Sequence, residues 1–383
     1  MIPARLAYFF AAYFFAGGAA LSYWAVWLRD RGVGDAEIGT IYMARQFVTV
    51  AATIAVGWIA QRLAGTRGLM LVMLSGALAM AVAYEFSYGF LPNLIVTMIW
   101  GAMWQPLLSL GDGNAVAVTR ERSIDYARVR VWGSVTFIGG ALAAGVAVDR
   151  WGPPWVLYLL GMGVVLTIPA ALWLPTPASR AVPADRGTAR AGALLRNPSF
   201  VLFLVACGFC QASHAVLYSF GTLSWRAAGI GDVVISLLWG ESVLVEIGLF
   251  MIGGALTARF GAVGMLLLGA GGALVRWIAM PWLGTDVAAL IFLQALHALT
   301  FGATHLAAMA FLRQAIPTHA MPLAQSLYYG LASGLVIAIV FQVSGTLYAR
   351  FGGNAFFAMA VLAGISLIAT IALSRQWKGE ALV

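Results

Sequence analysis

Long apolar runs, separated by short clusters of Gly, Pro and charged residues, follow one another along almost the whole chain. A helix crossing the hydrocarbon core of a bilayer needs roughly 20 apolar residues. About twelve runs satisfy this, near 6–28, 38–60, 69–90, 93–118, 126–148, 154–174, 199–224, 233–257, 263–283, 287–312, 322–348 and 354–374. The third and fourth are almost continuous through Leu91-Pro92, and Asp35 and Asp232 are placed to cap the second and eighth. One hydrophilic stretch is long: Pro175–Pro198, rich in Pro, Ala and Arg, reads as a flexible linker. The pattern predicts an all-α membrane protein of twelve transmembrane helices in two pseudo-symmetric six-helix bundles. These are an N-terminal bundle (1–174), a cytoplasmic linker (175–198) and a C-terminal bundle (199–383).

Both bundles carry the same punctuation. Gly32-Val33-Gly34-Asp35 with Ile38 recurs 197 residues later as Gly229-Ile230-Gly231-Asp232 with Ile235, and Gly57 with Arg62 recurs at that offset as Gly254 with Arg259. Each pair brackets a long apolar run, so a whole crossing unit with its loops is duplicated. A finer repeat, Gly-x4-Arg-x-Gly, closes the fifth span (Gly145, Arg150, Gly152), the eighth (Gly254, Arg259, Gly261) and the eleventh (Gly345, Arg350, Gly352). The second has the variant Gly57, Arg62, Ala64. Glycine suits a helix C-terminus and arginine suits its dipole, but recurrence at every third span implies three-helix units whose ends alternate between membrane faces. Inverted repeats of this kind build carriers.

Composition narrows the class further. With 62% hydrophobic and 9% charged residues, the chain is not a soluble domain. Its net charge of +8 has too little charged surface around it to suit nucleic acid and is set against the anionic inner leaflet. With the N-terminus inside, fifteen basic residues fall on the cytoplasmic side, among them Arg120, Arg122, Arg128, Arg130 and the linker's Arg180, Arg186, Arg190 and Arg196. Only Arg29, Arg31, Arg150, Arg226 and Arg350 fall opposite, so both termini are expected inside. Lys378 is the single lysine, which with abundant Ala and Gly suggests a bacterial chain of the inner (cytoplasmic) membrane. The first run is too long for a signal-peptide core and is expected to remain as a span. Cys207 and Cys210 lie in an apolar run, unlike an accessible redox pair. No nucleotide-binding loop, H-E-x-x-H or Cys/His cluster occurs, so neither cofactor nor metal is expected.

Several short segments are more specific than the span pattern: Ser22-Tyr23-Trp24 with Leu28, Glu37-Ile38-Gly39 with Arg45, and Gly57-Trp58. The most specific is Asp125-Tyr126 followed by Arg128-Val129-Arg130-Val131-Trp132-Gly133-Ser134. Leu238-Trp239 with Glu246, Arg276-Trp277, Leu293-Gln294-Ala295-Leu296-His297, Thr300-Phe301-Gly302 with His305, and Gln325 with Leu327-Tyr328 complete the set. Together these segments resemble the major facilitator superfamily, and within it a phenylpropionate-permease-like family related to lactose-permease-type proton symporters. The resemblance implies the major facilitator fold, and makes Gly57, Arg62, Gly254 and Arg259 loop elements that gate it. The sequence departs from the pattern at Gln61 and Ala258, where the superfamily has acidic residues, at Ala127, and at Glu241, where relatives are apolar.

Arg45, Glu85, Asp112, Glu241, Glu246 and Arg276 interrupt the spans. An ionised group costs about 2.5–3.5 kcal/mol at the bilayer centre, so these groups must face one another or a water-filled cavity. Glu246 is the first candidate to carry a proton, because burial and a neighbouring arginine pull its proton affinity in opposite directions. Arg276 is its expected partner, in a coupling pair or a purely structural one. His297 and His305, about 80° apart around a helix, can relay protons or bind solute, or else donate to backbone. Glu241, about 140° from Glu246, is either a solute contact or a helix-interface group, and Glu85 beside Tyr84 and Tyr88 reads as interfacial. In the first bundle Arg45, Asp112 and Asn114 are the polar equipment, and arginine suits a carboxylate through two parallel hydrogen bonds. Tyr23, Trp24, Trp104 and Tyr328 offer aromatic walls or mark interfaces. Gln294 and Gln325 complete the candidate solute contacts. Gly133, Gly139, Gly140, Gly330 and Gly334 are expected to let helices pack closely and slide.

The resulting expectation is a monomeric secondary transporter, not an enzyme, that couples protons to uptake of a small organic acid by alternating access. The resemblance to phenylpropionate permeases includes aromatic acids among the solutes expected. Its partners are the solute, protons and the lipid bilayer. A sugar or nucleoside proton symporter, a drug/proton antiporter and a transport-inactive receptor-like protein are the alternatives.

Overall fold

A computed structural model describes residues 2–63, 65–176 and 191–382. Helices fill it: α1 (Ile2–Asp30), α2 (Asp35–Ala60), α3 (Arg67–Glu85), α4 (Phe90–Trp104), α5 (Pro106–Glu121), α6 (Tyr126–Trp151) and α7 (Trp155–Trp173). Then come α8 (Ala191–Arg196), α9 (Pro198–Ala212), α10 (Ala215–Ala227), α11 (Asp232–Leu283), α12 (Val287–Ala295), α13 (Thr304–Ala315), α14 (Met321–Leu327), α15 (Val336–Phe351) and α16 (Phe356–Gln376). Two π-helical segments, Ala298–Ala303 and Tyr328–Leu335, join α12 to α13 and α14 to α15.

Among the described residues, ten helical stretches are long and apolar enough to cross a membrane. Two of them, Asp232–Leu283 and Met321–Gln376, hold 52 and 56 residues, more than one crossing takes twice over. Gly261 (φ 66°) interrupts the first and Gly352 (φ 53°) the second. With Gly152 (φ 88°), these are the last glycines of the repeated Gly-x4-Arg-x-Gly. Positive φ is accessible to glycine without a Cβ clash, so the repeat marks the points where the backbone turns out of a helix.

Local structure corrects several expected boundaries. The third run ends at Glu85, and Gly89 (φ 70°) breaks the chain before α4. Leu91-Pro92 therefore does not join two spans; Pro92 sits in the first turn of α4, where its missing N–H costs nothing. The fourth run divides at Gln105-Pro106 and the seventh at Ser213-His214. Asp35 does not cap α2: it pairs with Arg29 from the first turn, while the Glu37 carboxylate accepts the Gly34 N–H at 2.8 Å. Glu85, read from the sequence as interfacial, makes an ion pair of 3.3 Å to Arg31, whose guanidinium also lies over Trp27 and Tyr88.

The chain forms two compact units, Met1–Pro183 with Gly229–Gly240, and Ala184–Ala228 with Glu241–Val383. The first turns of α11 thus group with α1–α7 and not with the C-terminal bundle. Ser236 packs against Gly145 of α6 so closely that a Cβ there would lie 2.4 Å from it, and the Tyr23 hydroxyl donates to the Asp232 carbonyl. Of the expected linker, residues 177–190 lie outside the described residues, and with them Arg180, Arg186 and Arg190; Ala64 of the second-span variant does too.

In the first unit α1 and α6 meet backbone to backbone. A Cβ on Gly18 would lie 2.0 Å from the Phe137 carbonyl oxygen, and one on Gly140 2.1 Å from that of Phe15. The atoms met are backbone, so admitting a side chain means moving the two helices apart and losing their packing. Gly140→Leu should therefore abolish the monodisperse folded protein in a size-exclusion assay, whereas Gly139→Leu should not. Gly139 and Gly330 have no atom within 4 Å of a built Cβ, so close packing does not explain either.

The second unit is closed at one end by its C-terminal residues. Trp377 packs on Phe311 (4.6 Å), and Phe311 stacks on Phe203 (4.3 Å). The Leu382 N–H donates to the last carbonyl of α13 (Ala315, 2.8 Å), while its own carbonyl accepts from Asn197, the cap of α9. One residue so ties two helix ends. Trp377→Ala should cost about 3–5 kcal/mol, read as a lowered thermal midpoint.

Candidate solute and proton sites

In the second unit, polar side chains of α12 and of the π turn that follows it converge on Arg276. Its guanidinium is fully buried and lies over the Trp277 ring. It donates to Gln294 Oε1, to Thr300 Oγ1 (3.2 Å) and to His297 Nδ1 (3.3 Å). Arginine has no acceptor, so His297 Nδ1 must be unprotonated and the ring's proton sits on Nε2. That nitrogen faces Glu246 Oε2 at 3.6 Å. A charge chain results: carboxylate, neutral imidazole, guanidinium. His297 thereby stands between the Glu246 carboxylate and the Arg276 guanidinium.

His214 locks the other side. Its Nδ1 faces the Cys210 and Gln211 carbonyls and so carries the proton; Nε2 then accepts from the Thr300 hydroxyl at 2.8 Å. Thr300 in turn accepts from Arg276, and the Trp277 N–H donates to Ser213 Oγ. The π turn Ala298–Ala303 follows His297, as π turns often do at functional positions. His297, Phe301 and His305 stack along it, with ring centroids 5.4 and 6.4 Å apart. His305 is half-buried and faces Phe250, so it adjoins the cluster without bonding to Arg276. Glu241 Oε2 and Arg276 Nε are buried without a hydrogen-bond partner among the described residues.

In the first unit the aromatic residues form a ladder. Trp27 stacks on Trp24 (4.6 Å), Trp24 meets Tyr84 edge-on (4.8 Å), Tyr84 tilts against Trp100 (6.1 Å), and Trp100 stacks on Trp104 (5.5 Å). Trp104 stacks on Tyr13 at 4.7 Å with planes only 4° apart. Arg45 runs beside it: its stem packs on Gly101, between Trp100 and Trp104, and its guanidinium lies over Tyr42 at 5.1 Å. Half-buried, Arg45 meets no carboxylate among the described residues.

Other candidates do not gather here. Asp112 accepts from the Tyr126 hydroxyl (2.8 Å) and lies 3.8 Å from Arg130, which is itself over Phe14. Asn114, about 200° further around the helix, lies instead near Thr66, Arg67 and Leu174. Tyr23 is fully buried and holds the Asp232 carbonyl, so it is no wall of a cavity. Tyr328 is core, packed on Phe203. Gln325 lies with Gly254 and Arg313, apart from Arg276. Of the loop motif, Arg62 lies over Trp58 and Arg259 over Phe260. The readings from sequence omit His214, Tyr13, Tyr42 and Trp100. One of four histidines placed mid-run in an apolar helix was a usable signal for His214.

These arrangements have relatives. The family profile described as "MFS_1 like family" matches residues 3–359. The chain belongs to that family, within the major facilitator superfamily. It is a transporter, not an enzyme. It is 31% identical over 373 residues to a protein of Escherichia coli (strain K12) named "Probable 3-phenylpropionic acid transporter", covering 94% of each chain. It is 26% identical to the maltose permease of Geobacillus stearothermophilus, over 97% of this chain and 95% of that protein. Among solved structures it is similar to the nucleoside transporter NupG, with TM-score 0.83, 15% identity, and 98% and 99% of the two chains covered. A bacterial homolog of the human lysosomal transporter Spinster gives TM-score 0.78 at 12% identity, over 98% of this chain and 96% of that one. At those identities the likeness is one of fold.

Proposed function

We propose that this transporter takes up a small aromatic carboxylic acid together with one proton, by alternating access through twelve spans. The twelve follow from parting Asp232–Leu283 at Gly261 and Met321–Gln376 at Gly352. The distribution of arginines supports both termini inside, and a bacterial inner membrane agrees with the organisms of its relatives. The observation that carries the cargo is Arg45, a half-buried cation without a carboxylate among the described residues, set along a ladder of stacked rings. A guanidinium grips a carboxylate through two parallel hydrogen bonds. The 31% identical relative named for 3-phenylpropionic acid agrees with that chemistry.

Coupling follows from charge. When Glu246 is ionised, its carboxylate balances Arg276 through His297. A proton on Glu246 leaves the Arg276 charge unbalanced, which favours entry of an anion; by linkage the anion favours the proton equally. Acid anion plus proton is a neutral load. Uptake of labelled 3-phenylpropionate into proteoliposomes should therefore respond to an imposed pH gradient and not to a potassium diffusion potential. Arg45→Gln should raise the half-saturating concentration about tenfold or more. Uptake driven equally by membrane potential would remove the one-proton stoichiometry, and inhibition by maltose or uridine instead of aromatic acids would favour a neutral polar solute.

A further inference from the structure

The second unit contains a cavity of about 640 Å³ where the first half of α11, α13 and α14 meet. That is the size of a small-molecule site. Its polar lining is Arg313, Gln325 and Thr257; Leu306, Met309, Leu312 and Met321 are the large apolar residues of its wall. Gly254 keeps it open, since no atom lies within 4 Å of where its Cβ would be. Arg313 is exposed and meets no carboxylate among the described residues. The cavity also continues the helix pair that carries the proton cluster. Gly253 lies about 10 Å along α11 from Glu246 and meets Leu306, the residue after His305.

We propose that this cavity is a second, weaker station for the transported acid, with Arg313 and Gln325 holding the carboxylate and the two methionines against the ring. A guanidinium and an amide N–H together suit a carboxylate, and thioethers make favourable contacts with aromatic edges. The assignment of the occupant rests on the aromatic-acid reading above. An anionic lipid would use the same arginine, but Arg313 and Met309 share α13 with His305, which favours a solute passing the proton cluster.

Full-length protein labelled with 13C-methyl methionine, with Met309→Leu and Met321→Leu to assign the signals, tests this directly with 3-phenylpropionate. Both signals should move saturably, in the wild type and in Arg45→Gln. Arg313→Gln, and separately Gln325→Leu, should weaken that response, the former about tenfold or more. Unmoved signals in a protein that transports the acid would overturn the second station and leave the cargo reading standing. Arg313-dependent shifts in a protein that transports no aromatic acid would keep the site and remove the cargo. Shifts produced by phosphatidylglycerol in nanodiscs and not displaced by the acid would mark a lipid groove and overturn the proposal.

Discussion

Glu246→Gln is expected to abolish accumulation of 3-phenylpropionate driven by a pH gradient while leaving counterflow between equal internal and external pools. Glutamine keeps the size and can still accept from His297 Nε2, 3.6 Å away in the native side chain, so the solute path is spared. It cannot release a proton. The variant is therefore fixed in the loaded charge state, in which the anion enters and leaves but carries no gradient with it. Accumulation at the wild-type level by Glu246→Gln would remove this residue from the coupling. Loss of counterflow as well would assign it to solute binding or to folding.

Replacing Arg276 should do more damage, because three acceptors depend on it. Arg276→Gln leaves Gln294 Oε1 and His297 Nδ1 without a charged donor, frees Thr300 from its fork, and removes the cation behind the His297–Glu246 contact. Removing one member of a buried charge pair costs about 3–5 kcal/mol, so the thermal midpoint should fall sharply and transport should be lost. Arg276→Lys is not a rescue: a single ammonium cannot span Gln294, Thr300 and His297 at once. Combining Arg276→Gln with Glu246→Gln should recover part of the stability, since a carboxylate no longer faces a site that has lost its cation, without recovering coupling. Equal stability of the single and double variants would show that the two charges do not sense one another.

The spans and their punctuation were legible because they rest on local rules. Glycines at the ends of three spans occupy positive φ, and the sequence repeats them for that reason. Arg276 with His297 and Glu246 was legible for a related cause: charged groups in apolar helices have few ways to be tolerated. The aromatic ladder was not. Tyr13, Tyr84, Trp100 and Trp104 come from three different helices, and nothing in the spacing of any one of them names its neighbours. Tyr23 and Tyr328 misled for the complementary reason, since a buried tyrosine and a cavity-lining tyrosine have the same local sequence. The helix break at Ser213-His214 also escaped notice: it depends on His214 bonding carbonyls of its own preceding turn and on Thr300 from a distant span. Asn114 could have been set apart beforehand, because two residues of helix carry it far around from Asp112.

Proton movement with the solute is the claim on which the rest depends. In proteoliposomes at equal internal and external pH, with a pH dye outside, addition of 3-phenylpropionate should alkalinise the medium at one proton per acid taken up. The signal should exceed that of protein-free vesicles and be absent with Glu246→Gln. Labelled acid entering through the wild-type protein with no excess alkalinisation would contradict the account.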